Sequence, residues 1–407
     1  MLSWVNRFNI CCFLDNHQYS SSHPSVECLA AAGAASIFSP TEHIFTSLQE
    51  LYRNNQDWLF GHLAYDLKNA VAPLQSLHPD PIGFPDIFFF QPETVLQLSG
   101  NRLTIATLQE NPEQIFKEIC SLVLLTDNTS AGLAIQPRMA KEDYLHKIES
   151  IRKHIQRGDC YEINFCQEFY AENTQIDPLS VYRQLTAISP NPFACFYKME
   201  DKYVLCASPE RYLQKKGTRL LSQPIKGTFK RNLSDVVADE SLKQALIESE
   251  KDRSENVMVV DLVRNDLSQV CKEGSVQVEE LFGVYSFPQV HQMISTISGE
   301  LQPGFGLAEI LRASFPMGSM TGAPKRRVME LIEQYEVTKR GIYSGAIGYI
   351  SPDNDFDFNV VIRSILYNAK DAYLSYLVGG GITFYSDAEK EYEECLLKAA
   401  AIQKVLA

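Results

Sequence analysis

The sequence predicts an α+β fold in which antiparallel sheets are covered by helices. Three observations carry that expectation: apolar runs that fall in hairpin-like pairs, long helical stretches interspersed among them, and the lack of a strict strand–helix alternation. Over residues 1–125 the strand-like runs are Ile87 to Phe90, Thr94 to Leu98 and Leu103 to Leu108. The stretch 126–142, with Asp127, Asn128, Thr129, Ser130, Gly132 and Pro137, has little periodicity and reads as a linker to a second part, 143–407. There Tyr144, Ile148, Ile151 and Ile155 recur at helical spacing and Gly158 supplies a stop. Residues 161–169 alternate Tyr161, Ile163, Phe165 and Phe169 with Glu162, Asn164 and Glu168, the period of a sheet with one buried face. Asp177-Pro178 is a helix cap followed by proline at the first helical position. Strands are expected at 193–198, 203–207, 343–350, 358–367 and 372–378, and helices at 235–268, 306–313 and from Pro324. A last helix starts near Asp387, with Ser386-x-x-Glu389 as its capping box.

Composition narrows the function. The 407 residues are 45% hydrophobic and 21% charged, typical of a globular chain. Fifty acidic against 37 basic residues leave a net charge of −13, so nucleic acid is not an expected partner. Ten scattered cysteines without a CxxC pair predict a reducing, cytoplasmic setting and no zinc site. No apolar run is long enough for a membrane span, and Met1 to Asn16 lacks the order of a signal peptide.

Several constellations suit chemistry. Asp252 and Glu255 lie three apart in one helical segment, and Glu391 and Glu394 three apart in another. Each pair shares a helix face; if the faces meet they offer oxygen ligands to Mg²⁺, and if they do not they are two solvated surfaces. Gly379-Gly380-Gly381 would serve either a plain turn or close approach of backbone N–H groups to an anion. The run 318–325, GSMTGAPK, is a loop opening a helix and lacks the order of a P-loop. Lys226, flanked by Pro224 and Gly227, is either a solvated loop lysine or one desolvated enough to act as a nucleophile. His291 suits an ordinary structural histidine as well as a catalytic one.

Together these segments resemble a family. PIKGT at 224–228, DRSENVMVVDLVRNDL at 252–267, HQMIS at 291–295, GSMTGAPK, YSGAIGY at 343–349 and EKEYEE at 389–394 stand in the order seen in chorismate-utilising enzymes. The resemblance is to the component I branch of aminodeoxychorismate (para-aminobenzoate) synthases, with the anthranilate synthase large subunit as close relative. It is dense from about 140 to 400 and weaker before, where Trp58 to Lys68 resembles a family segment. It implies two antiparallel sheets packed face to face with helices outside, and Mg²⁺-dependent replacement of the C4 hydroxyl of chorismate by ammonia. By motif, Glu255 and Glu394 would hold the metal with Asp252 and Glu391 beside them. Tyr343 and Arg363 would clamp the enolpyruvyl carboxylate, Ser319 and the backbone at Gly379 to Gly381 the other carboxylate, and Glu210 with His291 would manage the proton of the departing hydroxyl. Lys226 would add at C2 before ammonia attacks C4, which requires a neutral amine and so a pKa depressed by burial and nearby Mg²⁺. Anthranilate synthases carry alanine at this position, so the lysine disfavours that branch.

One departure stands out: Gly158-Asp159-Cys160-Tyr161-Glu162 has glutamate where ammonia-using relatives usually have glutamine. Isochorismate-forming and salicylate-forming relatives place a water-activating lysine there, so its absence disfavours them too. The tryptophan-binding LLES motif and a GxCxGxQ glutaminase motif are also absent. Ammonia is therefore expected from a separate glutamine amidotransferase subunit. A catalytically silent scaffold that only activates such a subunit would have no need of the full constellation.

Overall fold

The computed structural model describes residues 1–19, 22–72, 74–108, 111–122 and 132–407. Residues 126–131 of the expected linker lie outside the described residues; Gln136–Pro137 further on pairs with Tyr170 and Phe169, and a helix is already under way at Lys141.

Two antiparallel sheets dominate. Among the described residues the first has eleven strands, running Gly322–Ala323, Glu162–Ala171, Tyr373–Ile382, Ser364–Asn368, Lys202–Ser208, Phe193–Met199, Ile10–Asp15, Cys28–Ala32, Thr94–Ser99 and Arg102–Thr107, with Gln136–Pro137 beside the second of these. The second has ten, running Ile225–Lys230, Val290–Glu300, Arg219–Gln223, Arg211–Lys216, Phe356–Asn359, Ala346–Ile350, Leu59–Leu63, Ile87–Gln91 and Ser36–Phe38, with Gln277–Ser286 also on Val290–Glu300. Strands from the first 107 residues thus finish one end of both sheets.

Strand alternation explains the layers. Cys12, Cys195 and Tyr197 point into the core shared with Ile347 and Phe358 of the second sheet. Their neighbours Cys11, Phe13 and Phe196 point outward, onto Trp4, Val181, Leu185 and Ile402 of the helices outside the first sheet. Val259 and Val263 of helix Glu250–Ser268, with Leu307 and Leu311 of Leu307–Ser314, join the core on the second sheet's side. The expected α+β sandwich, two sheets face to face with helices outside, is the architecture observed.

Some local expectations need correcting. The run 358–367 is two strands in different sheets, Phe356–Asn359 and Ser364–Asn368, and Arg363, at φ 53°, lies in the crossing between them. The helical stretch 235–268 is broken: Ser249 ends Val236–Glu248 and caps Glu250–Ser268 through its side chain to the Asp252 N–H. The last helix, Ala388–Leu406, is capped by Asp387 accepting from the Lys390 N–H, while Ser386 accepts from the Thr383 N–H instead of forming the expected box. The three glycines are in the strand Tyr373–Ile382, paired with Cys166, Phe165 and Asn164, and make no turn. The strand Glu162–Ala171 is buried on both faces; its polar residues are inside, whereas Tyr161, expected inside, is 68% exposed.

Candidate active site

That buried polar face helps to build a cleft. At the end of the sandwich away from the N-terminal strands, Glu162–Ala171 and Tyr373–Ile382 face Ile225–Lys230 of the other sheet. An open space of about 830 Å³ lies there, walled also by the helices that carry Glu255 and Glu394. Lys226 reaches across the sheets and donates to Glu162 Oε1 at 2.5 Å. Both are buried, and Gly381 makes the pair possible, because a Cβ there would stand 2.4 Å from Glu162 Oε1 and 2.7 Å from Lys226 Nζ.

The protein's own groups do not produce the depressed pKa expected for Lys226 from burial and nearby Mg²⁺. Burial works against the ammonium, but the carboxylates of Glu162, Glu255 and Glu210 outweigh it and hold the amine above the ordinary lysine range. In the protein alone Lys226 is a cation. Burial pushes Glu210 up to about 7, against the pull of Ser319 and Lys226. Glu255 is likewise pushed up to about 7, first by burial, with Lys226 opposing. These two carboxyls titrate near neutrality, where proton donors and acceptors are useful.

Of the sequence-predicted residues, Lys226, Glu210, Ser319, Tyr343, Arg363, Gly379, Gly381, Asp252, Glu255 and Glu394 all line the cleft. Ser319 is held in a short turn, where its carbonyl accepts from Asn164 Nδ2 at 3.0 Å. Arg363 has no ion-pair partner within 4.0 Å among the described residues, so its guanidinium is available to an anion. Gly380 faces the acidic helix: a Cβ there would lie 3.3 Å from Glu391 Oε2. His291 is not brought to the cleft. Its Nδ1 meets Ser286 Oγ at 2.9 Å and its Nε2 meets Asp239 Oδ1 at 3.1 Å. The next residue, Gln292, lines the cleft instead, as strand alternation requires, and its buried Oε1 has no partner.

The acidic helix faces do meet. Lys251 Nζ lies 3.2 Å from Glu391, 3.8 Å from Glu255 and 4.0 Å from Glu394, so carboxylates from two helices converge on one cation. Buried Glu255 Oε1 lacks a hydrogen-bond partner. Among the described residues no group of three or more His, Cys, Asp or Glu side chains is arranged to hold a metal ion by itself. The donors on the two facing helices, Glu255, Glu391 and Glu394, are nonetheless all oxygen, and they suit a Mg²⁺ ion that keeps waters and substrate oxygens in its shell. Lys398 adds a second cation, donating to Glu394 at 2.9 Å and to the Gly379 carbonyl at 3.0 Å; it holds Glu394 well below the usual carboxylate range.

Sequence reasoning left Glu162 without a role and missed Lys251, Lys398, Gln292 and Asn164. The glutamate in place of glutamine was one local signal; Lys251 and Lys398 also stand four residues from Glu255 and Glu394, a spacing that ordinary surface helices share, whereas Asn164 meets Ser319, distant in sequence.

A two-sheet sandwich with an anion-ready, acid-lined cleft at one end defines a class of small-molecule enzyme rather than a binding module. The family model for chorismate binding enzymes matches residues 11–404, and the chain belongs to that family. Aminodeoxychorismate synthase component 1 of Bacillus subtilis (strain 168) is 32% identical over 366 residues, covering 86% of this chain and 77% of that protein. The Escherichia coli (strain K12) protein of the same name is 34% identical over 353 residues, with the same shares. Among solved structures, anthranilate synthase component I from Streptococcus pneumoniae TIGR4 superposes with a TM-score of 0.81 at 26% identity, covering 95% of this chain and 94% of that one.

Proposed function

We propose that the chain is the chorismate-aminating component of an aminodeoxychorismate synthase, forming 4-amino-4-deoxychorismate for p-aminobenzoate and folate synthesis. The observation that carries this is Lys226: a buried lysine in the cleft, paired with Glu162 and lining the substrate space. The likeness to component 1 proteins of two bacteria supports the same reading.

In this reading Arg363 and Tyr343 grip one carboxylate, and Ser319 with the backbone around Gly379 holds the other. Mg²⁺ held by Glu255 and Glu394, with Asp252 and Glu391 nearby, would stabilise negative charge on the ring carboxylate as a Lewis acid. Lys226 must first shed a proton, and Glu162 is its nearest acceptor. The amine nitrogen then bonds to C2 while the C4–O bond breaks, the hydroxyl leaving as water with a proton from Glu210. Ammonia next bonds to C4 and the C2–N bond breaks, the electron pair returning to Lys226. His291 lies outside the cleft and acts, in this scheme, only through the strand that carries Gln292. Ammonia comes from a separate glutamine amidotransferase subunit, and the setting is the cytoplasm. No described helix is long and apolar enough to cross a membrane, and the ten cysteines are free.

The test is to incubate the purified chain with chorismate, Mg²⁺ and an ammonium salt and to identify the product. A C4 amine supports the proposal; anthranilate would assign the chain to the other branch, and unchanged chorismate would leave it a scaffold.

A further inference from the structure

A second open space, of about 1030 Å³, adjoins the cleft and shares Thr228, Arg363, Glu394 and Lys398 with it. Its charge is the reverse of the molecule's. The chain as a whole carries −13, yet Lys230, Arg231, Arg363, Lys398 and Lys404 line this space against the single carboxylate of Glu394. Two of those cations are neutralised locally, Lys398 by Glu394 and Arg231 by Asp239 at 2.7 Å. The other three, Lys404, Lys230 and Arg363, have no ion-pair partner among the described residues. Lys404 and Lys230 are exposed at the mouth and Arg363 lies where the two spaces join.

The placement has a physical consequence. A net charge of −13 raises the potential energy of any approaching anion, and a small dianion is repelled twice over. A channel lined by partnerless cations with low-dielectric walls reverses that locally and concentrates anions at its mouth. Its inner end is the guanidinium that this reading assigns to a substrate carboxylate.

We propose that this basic space is the substrate entrance, and that Lys230 and Lys404 are steering residues for a small dicarboxylate. They attract it without touching the reacting atoms. The inference deepens the proposed function and rests on it for the identity of the dianion, though not for its charge.

The experiment compares the full chain with the double variants K230Q/K404Q and K230E/K404E at about 0.02 M and about 0.5 M ionic strength, the second short enough in Debye length to screen the field. Two readouts run side by side: chorismate turnover with Mg²⁺ and fixed ammonium, and equilibrium binding of isophthalate, a plain aromatic dianion. At low salt, charge reversal is expected to lower kcat/KM and isophthalate affinity roughly tenfold, and neutralisation by less, with kcat unchanged. At high salt the variants are expected to converge on the wild-type value. Equal kcat/KM and equal isophthalate affinity across the three proteins at low salt would overturn the entrance. A loss in kcat with KM unmoved would overturn it as well, since that pattern belongs to a structural defect. Lack of chorismate turnover with charge-dependent isophthalate binding would remove the functional reading and leave the entrance standing.

Discussion

The two ends of the sandwich bury polar groups in opposite ways. At the N-terminal end, His62 is completely buried between the Tyr197 hydroxyl at 3.0 Å and the Pro85 carbonyl at 2.9 Å, and burial pushes it down to about 4. The charges there close on each other, as Lys68 does on Asp66 at 2.9 Å. At the other end Glu162 Oε2, Glu255 Oε1 and Gln292 Oε1 are buried without a hydrogen bond, and Arg363 has no counter-ion within 4.0 Å among the described residues. Buried polar groups cost free energy unless they are hydrogen-bonded or paired. His62 and the Lys68–Asp66 pair meet that requirement internally; the groups in the cleft leave it to be met by a metal ion and a dianion, so ligand binding should stabilise that end selectively.

The largest test of this contrast removes Lys226. Lys226→Ala should lower formation of the C4 amine by roughly a thousandfold or more, as loss of a covalent nucleophile does elsewhere. Product analysis by mass spectrometry checks it, and intact aminodeoxychorismate formation would show that the lysine is not the nucleophile. Stability separates from activity at the same position. Lys226→Met strands the Glu162 carboxylate and should cost about 3–5 kcal/mol, whereas Lys226→Met with Glu162→Leu should be neutral or stabilising. Urea midpoints distinguish the two; equal midpoints would mean that the pair is not buried as described.

Next in size is a pH effect confined to the other end. His62 ionises at about 4 in the fold and near 6.5 when unfolded, so between those values the unfolded chain binds the extra proton. Its contribution to stability is therefore full above pH 6.5 and lost as pH falls through 4, an effect of order 3 kcal/mol. His62→Gln should flatten the dependence of unfolding free energy on pH in that window. A variant with the wild-type slope would locate the acid sensitivity elsewhere.

A third test probes the acidic faces. Glu255→Gln should raise the Mg²⁺ concentration for half-maximal activity at least about tenfold, as loss of a group that orients or binds a metal does. Because it also removes a buried carboxylate whose Oε1 makes no hydrogen bond, its thermal midpoint without metal should not fall. An unchanged Mg²⁺ titration would exclude Glu255 from the metal site. The smallest effect is expected at the last helix, where Asp387→Ala should cost about 1 kcal/mol through loss of its cap.

How much of this was legible in the sequence follows the range of the interactions. Helix 141–156 and strand 162–171 announce themselves because Ile148, Ile151, Ile163 and Phe165 repeat at local periods. Residues 211–300 hide five strands, because Lys216, Arg219, Glu279 and Glu280 interrupt the apolar alternation on faces that stay near solvent. The glycine run was visible but not its purpose, since the groups that fill the space beside Gly381 come from positions 162 and 226. Likewise the motifs placed Glu255 and Glu394 in one site, but nothing local told that Lys251 would stand between their helices or that His291 would turn away.

The joining of both sheets across the chain bears on how the protein is made. The early strands pair among themselves, Ile10–Asp15 with Cys28–Ala32 and Leu59–Leu63 with Ile87–Gln91, but Ile10 also pairs with Met199 and Leu63 with Ala346, so one edge of each early group has no neighbour until much of the polypeptide has been synthesised. Contacts this distant slow folding, and open strand edges are prone to aggregate while they wait. A ribosome halfway through this message therefore carries an N-terminal segment with two unfinished edges, which makes the nascent chain a natural client for chaperones and a truncated one a poor candidate for independent expression.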